Sequence, residues 1–569
     1  MQEQIKNLIK RALKNLNIET EDIYLEHPVD FKMGDYSTNI AMVCAKKEKM
    51  NPKELAEKIV NELKSISSPP AKGEVGGGLI EKIQAKNGFI NFYLSKDFFA
   101  QNVKEILEQK ENFGKNKIGE GKKIIIEYSS PNIAKPFTIG HLRSTIIGDS
   151  LSKVLEFSGY EVIRDNHLGD WGTQFGKMIV AIKKWGNLNA LEKDPNPIKT
   201  LVDLYVKFHD EVEKDPSLED EGREWFKKLE NKNPEAREIW DKCISYSMKE
   251  FDRIYKRLDI SKFDTLNGES FYEDKMQTVL DDIKAKNIGK ESEGAFLIFF
   301  PDEKKLNPLM ITKKDGSSLY ALRDLATDKW RKSEYGDDVT IINEVGMEQT
   351  EYFRQIFEAE EMLGYFSKGK RVHVAHGLYR FKEGKMSTRK GNAIWLEDII
   401  DEAEKRASEI NKETKEEVAI GALKFNDLKR ESLKDIVFDM EEILNIKGDS
   451  GPYLQYSYAR ARSIIEKAKE EKLQIKNYEL KNNWETTEVE KMLYQFPEVV
   501  LRSKEEFQAH HIATYLMALA RAFSSFYGEG KIIDKDDLDS PYKIALTEAF
   551  SIVMKNGLWL LGIKTPEKM

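Results

Sequence analysis

Two stretches of the 569-residue chain carry residues whose types and spacing could handle a nucleoside triphosphate. The first is TIGHLRS, Thr138 to Ser144, at the opening of a segment with apolar residues at helical spacing. Gly140 would let a flat ring or a phosphate approach the backbone. The helix start offers free N–H groups and partial positive charge, and His141 adds an imidazole donor beside them. The second is GKMSTRKGN, Gly384 to Asn392, a glycine-bracketed run whose Lys385, Arg389 and Lys390 cluster with Lys382 just before it. Cations on such a loop could meet pyrophosphate as its charge develops, stabilising a transition state more than the bound triphosphate. Each stretch alone has a plain alternative, a capped helix with a satisfied histidine and a solvated charged loop. Their occurrence in order within one α/β region makes the pair informative.

The elements that must position these residues follow from the surrounding pattern. Ile124, Ile125 and Ile126 form a continuous β-branched run that suits a strand buried on both faces. After the loop SSPNIAKPFT, apolar residues at Ile139, Leu142, Ile146, Ile147, Leu151, Val154 and Leu155 predict an amphipathic helix. Gly159 stands where a helix-ending glycine belongs, and Tyr160 to Arg164 resumes strand character. Such a strand–helix–strand unit is right-handed, and its ligand site lies at the carboxyl end of the strand. Strand Phe296 to Phe300, helix Tyr320 to Arg331, strand Val339 to Asn343, helix Gln349 to Leu363 before Gly364, and strand Val372 to Ala375 continue the alternation. The class is α/β.

Between about Val180 and Arg257 the chain reads as a charged, helix-rich insertion. Beyond Leu396 strand signals give way to amphipathic segments, Val418 to Leu428, Ile436 to Leu444 and Tyr453 to Ala468, which predict an all-α domain. Before residue 113, helical segments, a Ser/Pro/Gly loop from Ser65 to Gly78 and the strand-like Gly88 to Leu94 precede a Gly/Lys-rich linker, Phe113 to Lys123. The expected division is an N-terminal α+β domain (1–112), a catalytic α/β domain (113–395, with the insertion at about 180–257) and a helical domain (396–569).

Lys and Arg number 90 against 98 Asp and Glu, a net charge of −8, so contact with nucleic acid must come from local patches. No apolar run approaches the ~20 residues of a membrane span, and the N-terminus lacks the apolar core of an export signal. Cys44 and Cys243 allow one disulfide at most and cannot build a four-thiolate zinc site. His373 and His376, three apart in a strand-like run, would point to opposite faces. A cytoplasmic protein without structural zinc or other metal is expected.

TIGH and KMSTRK resemble the HIGH and KMSKS signatures of class I aminoacyl-tRNA synthetases. The flanking words narrow the resemblance: SSPNIAKPFTIGHLRSTIIGD, LGDWGTQFG (Leu168 to Gly176), KMSTRKGN, GPYLQYSYARARS (Gly451 to Ser463) and the final LLGIKTPEKM are similar to arginyl-tRNA synthetases. GDYSTNIAM (Gly34 to Met42) resembles that family's additional N-terminal tRNA-contacting domain, so the likeness spans essentially the whole chain. It implies a Rossmann-like catalytic domain and an anticodon-binding C-terminal domain. It also implies a reaction in which arginine attacks the α-phosphate of ATP, accompanied by Mg²⁺, and the arginyl group then moves to the 2′-hydroxyl of the terminal adenosine of tRNA. On this resemblance Thr138, Gly140, His141, Lys385, Met386, Ser387 and Lys390 would hold ATP. The first His of HIGH is Thr138 here and the second Lys of KMSKS is Thr388, so one cation must come from elsewhere. In the family a lysine before the first signature serves, which makes Lys135, with His141 and Lys385, the implied catalytic set.

A guanidinium is a planar fork of donors best met by carboxylates and backed by a flat ring. Tyr320 and Asp324, at i and i+4 of one predicted helix, project to the same side, and Glu269 offers a second carboxylate. By similarity Ser130, Asn132, His141 and Gln349 would surround the other groups of the amino acid. Without the resemblance, Tyr320 and Asp324 would read as an ordinary exposed helix face. In GPYLQYSYARARS the rings of Tyr453, Tyr456 and Tyr458 interleave with Arg460 and Arg462, a pattern that can stack on unpaired bases and pair with phosphates. Tyr453, Tyr456 and Arg460 are the implied tRNA contacts. The alternative for these tyrosines is helix packing. Expected partners are tRNA for arginine, ATP and L-arginine, with the protein monomeric. A cysteinyl-type synthetase would need zinc ligands the chain lacks, and a non-catalytic tRNA-binding paralogue would have no need of a guanidinium pocket.

Overall fold

The computed structural model describes the chain except residues 21, 67–77, 315–319, 381–393, 446–447 and 474–483. The second signature motif, with Lys385, Met386, Ser387 and Lys390, therefore lies outside the described residues.

The chain divides into two compact units. One comprises residues 1–113, 461–496 and 519–553, and the other residues 114–460, 497–518 and 554–569. In the first, helices Gln2–Asn15, Ile40–Glu48 and Pro52–Ile66 bury their apolar faces around a three-stranded antiparallel sheet. Its central strand, Phe89–Leu94, lies between Tyr36–Thr38 and Ile80–Lys86. Ser95 caps the following helix, Lys96–Gln109, by accepting the Phe98 N–H.

The second unit is built on a four-stranded parallel sheet of Lys123–Glu127, Glu161–Asp165, Thr340–Gly346 and Arg371–His376. Numbered in that chain order, the strands lie 4-3-1-2 across the sheet. The order reverses between the first and third, where Glu127 is level with Asn343. That reversal opens a crevice beyond the carboxyl ends of the strands, the place where open α/β sheets take their ligands. Ile125 and Ile341 are fully buried, as the β-branched runs require. The helix that follows the first strand, Ile139–Phe157, is buried on nearly every side and ends at Gly159, whose φ of +87° accepts the left-handed turn.

Two expectations change. Phe296–Phe300 contributes to a strand, Ala295–Ile298, but in a separate antiparallel sheet with Gly289–Ser292 and Leu309–Thr312. A short apolar run reports burial without saying which sheet buries it. Ile436–Leu444, expected as a helix, is a two-residue strand at Ile436–Val437, paired in parallel with Tyr379–Arg380, followed by the short helix Met440–Ile443. The insertion is helical as expected, its helices running Leu188–Lys193, Pro197–Val212, Ser217–Glu230 and Pro234–Arg257. The two cysteines are buried and free. Among the described residues no helix is long and apolar enough to cross a membrane.

Candidate active site

The crevice is a cleft of about 630 Å³, and Ser130, Asn132, Gly140, His141, Glu269, Tyr320, Asp324 and Gln349 all line it. The loop after the first strand supplies the first two. Ser129, Ser130 and Ala134 hold φ values of 72°, 44° and 56°, a region costly for side-chain-bearing residues. Hydrogen bonds hold the loop in this shape. Ser129 N–H donates to Ser144 Oγ at 2.9 Å, Ser130 N–H to Asn166 Oδ1 at 3.0 Å and Ala134 N–H to Ser247 Oγ at 2.8 Å. Ser130 Oγ is buried with no partner, a polar group left for a ligand.

Asn132 is held from behind by Leu168–Gly176. The Ile133 N–H donates to the Gly169 carbonyl at 3.1 Å, and a Cβ on Gly169 would lie 2.4 Å from Asn132 Oδ1. Gly169→Ala must therefore displace the Asn132 amide. The expected result is a KM for arginine raised by about tenfold with the thermal transition little changed, read from substrate titrations and a melting curve.

Thr138 begins the signature helix, and its N–H donates to His141 Nδ1 at 3.0 Å. With Nδ1 accepting, the neutral ring carries its proton on Nε2 as a donor. Burial, and secondarily the nearby Lys135 charge, pull the His141 pKa down to about 4. The folded pKa lies below the unfolded value of about 6.5, so as pH falls the unfolded chain takes the proton first and stability declines through that window. His141→Gln is expected to flatten the part of the stability–pH curve between pH 6.5 and 4, measured by denaturant unfolding at several pH values. An unchanged slope would place the imidazole in solvent. Gly140 is exposed, and a Cβ there would meet only Thr138 Oγ1, at 3.4 Å. The fold does not require a glycine here.

Chain on the far side of the undescribed segment is pinned to the same helix start. Trp395 bridges Thr138, the Ile139 N–H donates to the Ile394 carbonyl at 3.4 Å, and the Leu396 N–H donates to the Phe137 carbonyl at 3.0 Å. The second signature thus rejoins the described chain beside the first. Lys135 is half-buried near His141.

The opposite wall is acidic. Asp324 and Tyr320 stand one turn apart on the helix Tyr320–Tyr335, as their spacing predicted. Tyr320 is 60% exposed, its ring edge-on to that of Tyr352 at 5.2 Å. The Tyr352 hydroxyl donates to Asp324 Oδ2, and among the described residues Asp324 has no cation within ion-pair distance. Burial raises its pKa, and the Glu127 and Asp328 charges add to the rise against the pull of His167 and Tyr352. Glu269 is also raised, first by burial, although Arg323 Nη1 sits 3.3 Å away. Below them Arg331, fully buried, joins Glu127 Oε2 at 2.6 Å, Asp328 Oδ1 at 2.9 Å and Asp165. Arg371 joins Asp328 and Glu360. Burial holds Glu360 well above the carboxylate range, while for Asp328 the two guanidiniums overcome the cost of burial and lower its pKa. Even without Glu360, the three acids Glu127, Asp165 and Asp328 outnumber the two guanidiniums, and the floor of the cleft carries an excess of acid. A cationic side chain is what this wall can take up.

Sequence reading missed Tyr352, His167, Glu127, Asn343, Glu344 and His376, all on the cleft lining. His376 Nδ1 pairs with Glu344 Oε1 at 2.7 Å, and His373 turns instead to the Val345 carbonyl and stacks on Phe353. Tyr352 lies three residues past Gln349, one turn along, which was the available signal. Gln349 itself is exposed at the start of the Thr350–Leu363 helix and makes no side-chain cap.

On the Gly451–Glu470 helix, Tyr458 is 2% exposed and its hydroxyl donates to Glu567 Oε1 at 2.8 Å, so the packing alternative holds for that residue. Tyr456 is exposed, and Arg460 Nη2 donates to its hydroxyl at 2.9 Å with the guanidinium 4.7 Å from the ring centre. Tyr453 is half-buried.

Residues 102–440 match the family described as tRNA synthetases class I (R), catalytic domain. Residues 454–569 match the DALR anticodon binding domain, and residues 3–94 the arginyl tRNA synthetase N terminal domain. The arginine–tRNA ligase of Clostridioides difficile is 40% identical over 99% of both chains. That of Halothermothrix orenii is 38% identical over 100% of this chain and 99% of its own. Among solved structures, the arginyl-tRNA synthetase of Plasmodium falciparum superposes with a TM-score of 0.80 at 26% identity, over 100% of this chain and 99% of that one. The arginyl-tRNA synthetase of Thermus thermophilus, at 23% identity and a TM-score of 0.79 over the full length of both, shares the fold. A cleft with a helix start open on one wall and an acidic wall opposite fits what these matches establish: the chain belongs to the arginyl-tRNA synthetase family, class I ligases that activate arginine with ATP and charge tRNA with it.

Proposed function

We propose that the cleft binds arginine with its guanidinium against Asp324 and Glu269, Tyr320 covering it, and its α-amino and carboxylate groups toward Ser130, Asn132, His141 and Gln349. The observation that supports this most is the half-buried Asp324 carboxylate, which has a hydroxyl donor but no cationic side chain among the described residues. A guanidinium supplies what it lacks. ATP enters as its Mg²⁺ complex, the ion belonging to the substrate, over Thr138, Gly140 and His141. Lys135 contributes charge from the first loop, and Lys385, Met386, Ser387 and Lys390 contribute from the second signature.

The arginine carboxylate then attacks the α-phosphate, pyrophosphate leaves, and the mixed anhydride passes its arginyl group to the 2′-hydroxyl of the terminal adenosine. The His141 Nε2–H donates to phosphate oxygens as charge builds, without itself gaining or losing a proton at neutral pH. Residues 1–112 and 396–569 contact tRNA in this reading, with Tyr453, Tyr456 and Arg460 among the contacts, and the enzyme is a cytoplasmic monomer. Citrulline tests the pocket assignment, since it keeps the shape of arginine and loses the charge. ATP–pyrophosphate exchange supported by arginine and not by citrulline is expected. Comparable support from both would remove the guanidinium from Asp324.

A further inference from the structure

Outside the lining of the cleft, one buried carboxylate joins the helix of the first signature to the strand Tyr379–Arg380. Asp427, on the helix Lys415–Leu428, is 1% exposed. Its Oδ1 accepts from Arg143 Nε at 3.3 Å, and its Oδ2 accepts from the Tyr379 hydroxyl at 2.7 Å. Arg143 stands two residues past His141 on the signature helix, equally buried, with Nη2 donating to the Ser432 carbonyl at 2.9 Å and Nη1 lacking a hydrogen-bond partner. Among the described residues Asp427 is the only anion in ion-pair range of that guanidinium. Tyr379 opens the short strand Tyr379–Arg380, and Lys385 follows six residues later in the chain.

A charge so deeply buried is costly unless both oxygens are satisfied, and here one donor comes from the signature helix and the other from the short strand Tyr379–Arg380. One rigid carboxylate fixes the rotation of the signature helix about its axis and, through the other oxygen, the strand that leads toward the second signature. We propose that Asp427 is a positioning residue for adenylate formation, setting His141 on its helix and the Tyr379 strand in a common register. This rests on the reading of the cleft given above. A merely structural ion pair would lower the folded fraction and leave the kinetics of the folded enzyme unchanged.

The test is tRNA-supported ATP–pyrophosphate exchange by the full chain, with ATP and arginine titrated separately, for wild type, Tyr379→Phe, Asp427→Asn and the double variant. Tyr379→Phe removes one hydroxyl and keeps the ring, so it reports even if Asp427→Asn does not fold. The expected result is a fall of about tenfold in kcat/KM for ATP in Tyr379→Phe, with the arginine KM changed by no more than about twofold. The double variant should be no slower than Asp427→Asn alone, because the hydroxyl acts only through the carboxylate. An unchanged kcat/KM for ATP in Tyr379→Phe, or arginine and ATP constants rising together, overturns the proposal. Wild-type exchange that arginine does not support would overturn the reading of the cleft, and this proposal with it.

Discussion

Asp324→Asn is expected to raise the arginine concentration needed for half-maximal exchange by about 10- to 100-fold while the ATP requirement moves by no more than about twofold. The substitution keeps size and shape, and asparagine can still accept the Tyr352 hydroxyl that Asp324 accepts now. What disappears is the charge, and a charge-assisted hydrogen bond is worth roughly 1.5 to 3 kcal/mol. Little else in the wall can take over. Glu269, the other carboxylate proposed to face the guanidinium, shares its charge with Arg323, and Glu127 and Asp328 are engaged by Arg331. Separate titrations of arginine and ATP check this. Equal effects on both would mean that Asp324 shapes the cleft as a whole and does not face the guanidinium.

His141→Ala is expected to slow adenylate formation by about 10²- to 10³-fold, the usual cost of removing one preorganised donor from a developing oxyanion. The fold should hardly notice. The ring lines the cleft, its Nδ1 hydrogen-bonds Thr138 within its own helix start, and losing such a cap costs about 1 kcal/mol. Single-turnover adenylation and a thermal melt at pH 7.5, where the imidazole is neutral in folded and unfolded chains alike, separate the two effects. A slowed rate accompanied by a collapsed transition would make His141 a core histidine.

The sequence made the scaffold readable where periodicity is strong and local. The Ile124–Ile126 run, the spacing from Ile139 to Leu155 and Gly159 after it each map onto the first strand, the signature helix and its left-handed end. Tyr320 and Asp324 could be paired because i and i+4 share a helix face whatever the fold. Partners brought together by packing left no such mark. Tyr352 meets Asp324 across 28 residues, Arg331 meets Glu127 across 204, and Arg143 meets Asp427 across 284. No spacing rule connects positions so far apart. Ile436–Val437 was misread for a related reason: two residues are too short for a period, and their pairing depends on Tyr379–Arg380 being laid alongside. His376 was weighed only as a metal ligand, and its role at the cleft became visible with Glu344 2.7 Å away.

The central claim is that one cleft matches a guanidinium on its acidic wall to a triphosphate on its signature helix. ATP–pyrophosphate exchange measured with each of the twenty amino acids, in the presence of tRNA for arginine, tests it most directly. Exchange is expected with arginine, none above background with citrulline or lysine, and the arginine signal lost in Asp324→Asn should return at high arginine. Exchange driven equally by another amino acid, or an Asp324→Asn enzyme that saturates with arginine as wild type does, would contradict it.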